Sequence, residues 1–334
     1  MATIKDVAIE AKVSVGTVSN VLNKKNHVKK EKEERVLAAM EKLGFHYNLT
    51  AKTLRTQKSN DIGLILPNIT NPYYPEVARG VEDAAQKQGF STFLCNTDRS
   101  EDKERGYIKS LLAKNVRGLI IMKHQLREEE LLQLCKSVPV VLVDEDPTKG
   151  DASGIMYINN SDYEGIRSAV EYLRSNGHKR IGFIHGLNDS YSSFCRYQGF
   201  IDYCQEHNLE LYADYISNGN YSMEGGYLAT ERMLGCPKLP TAILAANDLM
   251  AIGSMKAIQK KGCKVPDDIS VMGYDDISFA DIVTPALTTI HQPTYELGME
   301  SVALLLGQAP PGKRKAKLGD NRLIVRDSVR ERIR

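Results

Sequence analysis

Apolar positions in the first 45 residues recur at helical spacing in three short bursts. Ile4, Val7, Ala8 and Ala11 share one face of a segment opened by Thr3 and Asp6, a capping pair three residues apart. Val15, Val18, Val21 and Leu22 share a face of a second segment, opened by Ser14 and Thr17, and only Lys12 and Val13 lie between the two. A third segment, about residues 30 to 43, turns Val36, Leu37, Met40 and Leu43 inward and ends at Gly44. This pattern predicts a small three-helix unit whose first two members form a helix-turn-helix. Beyond residue 60 the period changes. IGLILP (62–67), STFLCN (91–96), GLIIM (118–122), PVVLVD (139–144), IMYIN (155–159), RIGFIHG (180–186), AILAAND (242–248), ISVMGYDD (269–276) and LTTIHQ (287–292) read as buried strands separated by amphipathic helices. That alternation predicts an α/β fold with parallel sheets. Two similar halves are expected, about 61–160 and 161–290, with the C-terminal stretch crossing back to complete the first.

Charge divides the chain at the same place. Residues 1 to 60 hold 12 Lys and Arg against 6 Asp and Glu, and the remainder holds 32 against 36. A basic head on a mildly acidic body is the footprint of a nucleic-acid module, or of a solvated terminal arm. The helix-turn-helix pattern favours the first, because the second helix of that motif lies in the major groove with its N-terminal residues towards base edges. VSVGTVSNVLN (13–23) carries no Lys or Arg, yet Lys5, Lys12, Lys24, Lys25, Lys29 and Lys30 surround it. Small side chains permit a close approach to DNA while the lysines attract phosphates.

The head resembles the N-terminal module of the lactose/galactose-repressor (LacI/GalR) family through T-x-x-D-V-A-x-x-A-x-V-S-x-x-T-V-S-x-V-L-N, followed by VLAAMEKLGFHYNLTAKTLR. The resemblance implies a DNA-binding domain over residues 1–46 and double-stranded operator DNA as partner. It places Val15, Gly16 and Asn20 at the base-reading positions, with Thr3, Ser14, Thr17 and Ser19 capping helices and holding phosphates, and Lys24 and Lys25 nearby. Gly16 has no side chain to read with, and Asn20 stands where Arg is frequent in the family. Asn suits adenine and Arg suits guanine, so a different operator is expected. Lys29 stands where the family favours a capping Ser. Residues 47–60 correspond to the family's hinge, which becomes helical on DNA in a dimer. By position Leu54, with Ala51 beside it, is the minor-groove wedge; Tyr47 replaces the usual Pro.

The body resembles the type I periplasmic-binding-protein-like effector domain of the same family through NPYYPEVARGVEDAAQKQGF, RYQGF, AANDLMAIG, SVMGYDD, PALTTIHQP and RLIVRDSV. The resemblance implies two lobes over 61–334, one from 61–160 plus 293–325 and the other from 161–292, with a small-molecule site between them. Position by position it assigns Asn71, Tyr73, Tyr74, Asp144, Arg196, Tyr221, Asn247, Asp275 and Gln292 to that site, with Arg196 just before a helix start at Gln-Gly-Phe. Polar residues at the ends of such strands face a crevice. Carboxylate, amide and guanidinium groups pair with vicinal hydroxyls, and aromatic faces cover a sugar ring. A sugar is the favoured effector. A purine corepressor or a phosphorylated carrier protein remains open.

Enzyme chemistry finds little support. GQAPPGKR (307–314) nearly spells a P-loop but ends in Arg314 and follows a helix, so it reads as a basic surface loop. No G-x-G-x-x-G or G-x-S-x-G occurs, and the seven histidines show no nucleophile or metal-ligand spacing; only His291, beside Gln292, lies near the expected cleft. Six cysteines without a C-x-x-C pair indicate neither zinc nor a disulfide framework. No cofactor, metal or catalytic residue is expected. The opening residues lack an h-region and no apolar run approaches a membrane span, so a cytoplasmic protein is expected. No leucine-heptad tail follows RLIVRDSVRERIR, which favours a homodimer. A transcription regulator, repressor rather than activator on the family resemblance, is the favoured reading; a nucleotide-dependent α/β enzyme is the alternative from another class.

Overall fold

The computed structural model describes residues 2–22, 28–45, 59–148, 154–308, 315–319 and 321–332. The chain forms two compact units, Met1–Lys58 and Ser59–Arg334. In the first, α1 (Ile4–Glu10), α2 (Val15–Leu22) and α3 (Lys30–Lys42) close over Val7, Ala8, Ala11, Val18, Val21, Val36 and Ala39. Thr3 caps α1 reciprocally: its backbone N–H donates to the Asp6 carboxylate at 2.8 Å, and its hydroxyl accepts from the Asp6 N–H at 3.4 Å. Ser14 accepts from the Thr17 N–H at 3.1 Å at the start of α2. Each such cap contributes about 1 kcal/mol. Lys29 offers α3 no side-chain cap, and Gly44 ends that helix in the left-handed region at φ 58°.

Two inward assignments fail here. Val15 is 42% exposed, because the turn residue Val13 packs on the core and leaves the first position of α2 outside. Leu37 is 52% exposed, and the smaller Ala39 fills the face it was expected to fill. The turn between α1 and α2 is held from α3, where Arg35 donates to the carbonyls of Ala11 and Lys12.

The second unit contains two lobes. The first is built on a parallel sheet with β1 (Asp61–Leu66) between β2 (Ser91–Asn96) and β3 (Leu119–Met122); β4 (Val140–Val143), β5 (Met156–Asn159) and the late strand β11 (Lys315–Lys317) extend it beyond β3. Helices α4 (Tyr73–Lys87), α5 (Glu101–Ala113), α6 (Glu128–Ser137) and α12 (Thr294–Leu305) accompany it. β3 and β4 are buried throughout, as their apolar runs predict. β2 is an edge strand and leaves Phe93 and Leu94 exposed, so STFLCN is not the buried strand its composition suggests.

The second lobe holds the parallel order β7 (Ile216–Asn218), β6 (Ile181–His185), β8 (Ala242–Ala245), β9 (Ser270–Met272). Its helices are α7 (Asp162–Ser175), α8 (Tyr191–Glu206), α9 (Met223–Met233), α10 (Asp248–Lys260) and the short α11 (Phe279–Ile282). β10 (Thr289–His291) and β12 (Arg322–Ile324) form an antiparallel pair, which joins this lobe through hydrogen bonds from Val271 to Ser328 and from Gly273 to Thr288. Residues 321–332 therefore lie with the second lobe, whereas the sequence places the whole of 293–325 with the first. The chain crosses between lobes three times, after β5, after β10 and after β11. β7, β11 and β12 are three residues long, too short for a readable period.

Candidate functional site

In the first unit the start of α2 presents an uncharged surface. Ser14, Val15 and Gly16 are exposed, and Thr17, Ser19 and Asn20 are half-buried one turn on. The Ser14 and Thr17 hydroxyls lie 2.9 Å apart and engage each other. A Cβ placed on Gly16 would meet only the Ser14 hydroxyl, at 3.7 Å, so the residue is small without being packed. Thr3 sits at the α1 cap. Lys24, Lys25, Ala51 and Leu54 lie outside the described residues, as do residues 309–314 of the basic loop.

In the second unit the strand ends converge on one pocket between the lobes. Lys123 after β3, Asp144 after β4, Tyr221 after β7 and Asp275 after β9 all line it, and all adopt positive φ, at 55°, 56°, 57° and 114°. Non-glycine residues in such conformations cost about 1–3 kcal/mol each and persist where the surroundings hold them. Asn71 and Tyr73, both buried, and the half-buried Tyr74 enter from the start of α4; Arg196 enters from α8. Met122, Val143, Leu187, Ser190 and Ser192 complete the wall. A water-sized sphere has about 40 Å³ to move in, room for only a few waters. Lys123 of one lobe pairs with Asp189 of the other at 3.3 Å. The cleft is closed.

Arg196 lies within α8, which begins at Tyr191, and not before a helix start. Only 4% exposed, it donates from Nε to Asp162 at 2.7 Å and from Nη1 to the Ala246 carbonyl and to Asp275 at 3.4 Å. Its guanidinium stacks 4.0 Å from the centre of the Tyr274 ring. Burial alone would lower its proton affinity, but Asp162 together with Tyr221 and Asp275 more than reverses this. Across the pocket the Tyr73 hydroxyl donates to Asp144 Oδ2 at 2.6 Å, while Asp144 Oδ1 is buried without a partner among the described residues. Burial, with Asp162 close by, pushes the Asp144 carboxyl up to about 7. Burial likewise pushes Asp275 up to about 7, against the pull of Arg196 and Gln292. Three buried carboxylates thus face one guanidinium, an arrangement rich in acceptors.

Two sequence-assigned residues do not line the pocket. Asn247 caps α10, accepting the Met250 N–H at 2.9 Å and donating to the Tyr221 carbonyl at 3.4 Å, and so holds the Tyr221 turn. Gln292 is fully buried behind the wall, between Asn160 and Asp275. His291 faces Asp276 at 3.1 Å, away from the pocket. Gly186 gives the Tyr221 ring its seat, since a Cβ there would lie 2.1 Å from a ring carbon. Asp162 and Asn160 were missed in the sequence; a polar pair just beyond a strand is the only signal, and it resembles any helix cap.

Comparison with known proteins agrees with this architecture. Residues 3–48 match the family described as Bacterial regulatory proteins, lacI family, and residues 170–329 match the Periplasmic binding protein-like domain. The HTH-type transcriptional repressor PurR of Histophilus somni is 37% identical over 334 residues, 99% of each chain. The lac repressor dimer bound to operator and the anti-inducer ONPF superposes with a TM-score of 0.85 at 32% identity, over 98% of this chain and 99% of that one. A LacI family regulator from Enterococcus faecium with bound ribose superposes with a TM-score of 0.72 at 30% identity, over 82% and 100%. The chain belongs to the LacI family of bacterial regulatory proteins and is a DNA-binding transcriptional repressor, not an enzyme.

Proposed function

We propose that a small neutral sugar in the inter-lobe cleft controls the operator affinity of this repressor, which acts as a homodimer. The carrying observation is the mixture of open donors and acceptors around one enclosed space. Asp144 Oδ1 has no partner, and Arg196 Nη2 is not engaged in any hydrogen bond among the described residues. A hydroxyl both donates and accepts, so vicinal hydroxyls can serve a carboxylate and a guanidinium together. The Tyr74 and Tyr221 rings supply apolar faces. Phosphorylated ligands meet the Asp144 and Asp275 carboxylates in the wall, where Lys123 is already committed to Asp189, and are disfavoured. The bound ribose in the Enterococcus faecium regulator supports the same class. A purine base is the second reading, favoured by the relatives' name PurR and by the two aromatic rings. Exposed Phe93 and Leu94 on the edge strand, and the lac repressor dimer, support the homodimer.

In the head, Val15, Gly16 and Asn20 are the proposed base readers, with Thr3, Ser14, Thr17, Ser19, Lys24 and Lys25 near phosphates and Leu54, beside Ala51, as the minor-groove wedge. The test is a thermal shift of the full chain against monosaccharides and purine bases, followed by operator titration with each ligand that shifts it. A ligand at 100 times its Kd stabilises by about 2.7 kcal/mol. If purine bases shift the melting point and no sugar does, the sugar reading is wrong; if neither class does, the cleft is not the effector site.

A further inference from the structure

A buried hydrogen-bond relay runs behind the pocket through two of the crossovers between lobes. Asn160, 5% exposed, follows β5, and Gln292, fully buried, follows β10. The Asn160 side-chain nitrogen donates to the Tyr73 hydroxyl oxygen at 3.3 Å and to Gln292 Oε1 at 2.9 Å. The Tyr73 hydroxyl in turn donates a hydrogen bond to Asp144 at 2.6 Å, and Gln292 Nε2 donates to Asp275 at 2.6 Å. One amide nitrogen therefore feeds a carboxylate on each lobe.

The carboxylates fix this polarity. Were Asn160 turned over, its oxygen would face Gln292 Oε1, and turning Gln292 to relieve that clash would set its oxygen against Asp275. The orientation has a cost, because Asn160 Oδ1 is left buried without a partner among the described residues. A buried orphan acceptor calls for a reason, and the two donors supply it.

We infer that Asn160 is a positioning residue for effector recognition: through Tyr73 and Gln292 it presents Asp144 and Asp275 as hydrogen-bond acceptors on opposite lobes, selecting effectors that bring donors to both. The inference rests on the reading of the cleft as the effector site. Tyr73, Asp162, Arg196 and Asp275 face Asp144, and Arg196, Asp162, Asp144, Asp248 and Gln292 face Asp275. None of these groups is removed by substitution at position 160, so the charged surroundings of the two carboxylates keep the same members in both proteins.

The experiment titrates both carboxylates in the full chain by 13C NMR of aspartate labelled at Cγ, with resonances assigned through Asp144→Asn and Asp275→Asn. Asn160→Leu removes the shared donors and should raise both midpoints by about one pH unit. Tyr73→Phe should raise chiefly that of Asp144, and Gln292→Leu chiefly that of Asp275, the other carboxylate moving less through the field between them. These two variants decide the matter if Asn160→Leu does not fold: crossed or absent responses overturn the relay. A residue serving only packing would not raise both midpoints in the pattern in which each single-arm variant raises chiefly its own. D-ribose and ribose 5-phosphate are then titrated by calorimetry into wild type and Asn160→Leu. Preference for ribose over its phosphate should fall at least tenfold in the variant, and an unchanged preference overturns the selective role. Should neither compound nor any other monosaccharide bind wild type, the sugar reading fails while the NMR titration still judges the relay.

Discussion

Replacing Arg196 by Ala should cost the second unit far more than one ligand contact. The guanidinium is the sole cation paired with Asp162 and Asp275 among the described residues, and all three side chains are 5–7% exposed. Removing one partner of a buried ion pair typically costs about 3–5 kcal/mol, because the remaining charge keeps its desolvation penalty. Here two carboxylates lose their partner, and the Tyr274 ring loses the group stacked at 4.0 Å. The upper half of that range, about 4–5 kcal/mol, is expected near pH 8. The deficit should shrink in acid. Asp275 already sits near 7, and without the guanidinium that holds it down its proton affinity rises further. A carboxyl whose folded pKa exceeds its unfolded value binds an extra proton in the native state, so its destabilising effect fades as pH falls towards the unfolded value near 4. Urea unfolding followed by tyrosine fluorescence suits the measurement, since the chain has no Trp and 15 of its 16 tyrosines lie in residues 59–334. A loss below about 1 kcal/mol, or one equal at pH 5.5 and pH 8, would falsify the view of Arg196 as the counter-ion of the cleft.

Three further outcomes follow from separate parts of the chain. Asn20→Arg should move base preference from adenine towards guanine at one position per half-site by about 1–3 kcal/mol, and selected-site sequencing with an unchanged consensus would remove Asn20 from the readers. Gly186→Ala drives a methyl into the Tyr221 ring; it should destabilise by about 1–3 kcal/mol and weaken effector binding at least tenfold, so wild-type calorimetry for the variant contradicts the seating of that ring. His178 bonds to Thr241 and the Arg330 carbonyl at 3.1 Å, and burial lowers it to about 4. Its native state refuses a proton that the unfolded chain accepts, so stability should fall as pH drops from 6.5 towards 4, by on the order of 3 kcal/mol relative to His178→Gln; parallel curves for the two proteins exclude it.

The hydrophobic pattern made the elements legible, but not the partners of polar groups. Thr3 with Asp6 and Ser14 with Thr17 could be read because a cap and its acceptor lie three residues apart. Seven of the nine residues expected in the cleft line the pocket: Asn71, Tyr73, Asp144 and Asp275 follow from the convergence of strand ends in an α/β sheet, whereas Tyr74, Arg196 and Tyr221 are reached only through the family resemblance. Gln292 and Asn247 obey the same rule and still miss the pocket: the rule fixes where a residue stands and not which way its amide is already committed. Arg35 reads as one more charge in KEKEER, yet it clamps a turn more than twenty residues away. Asp162 pairs with Arg196 across 34 residues and two helices. Such pairings depend on three-dimensional proximity, which a period of 2 or 3.6 does not encode.

The closed cleft also constrains how the head can be regulated. The proposed base-reading helix belongs to one unit and the proposed effector pocket to the other, so an effector bound there would act on DNA only through a lobe arrangement that both sites prefer or reject. With room for a few waters, the pocket cannot admit a sugar ring until Lys123 and Asp189 separate or the wall side chains move. The effector's free energy of binding therefore differs between arrangements, which is the requirement for coupling. Typical couplings are about 1–3 kcal/mol, a 5- to 150-fold change in affinity. The same factor must appear in both directions. Operator affinity measured with and without saturating effector, and effector affinity measured with and without operator, should give one ratio. Lys123→Met loosens one arrangement only and should change both affinities while keeping the two ratios equal to each other. Unequal ratios at equilibrium would mean that a third binding event, not the cleft alone, sets the response.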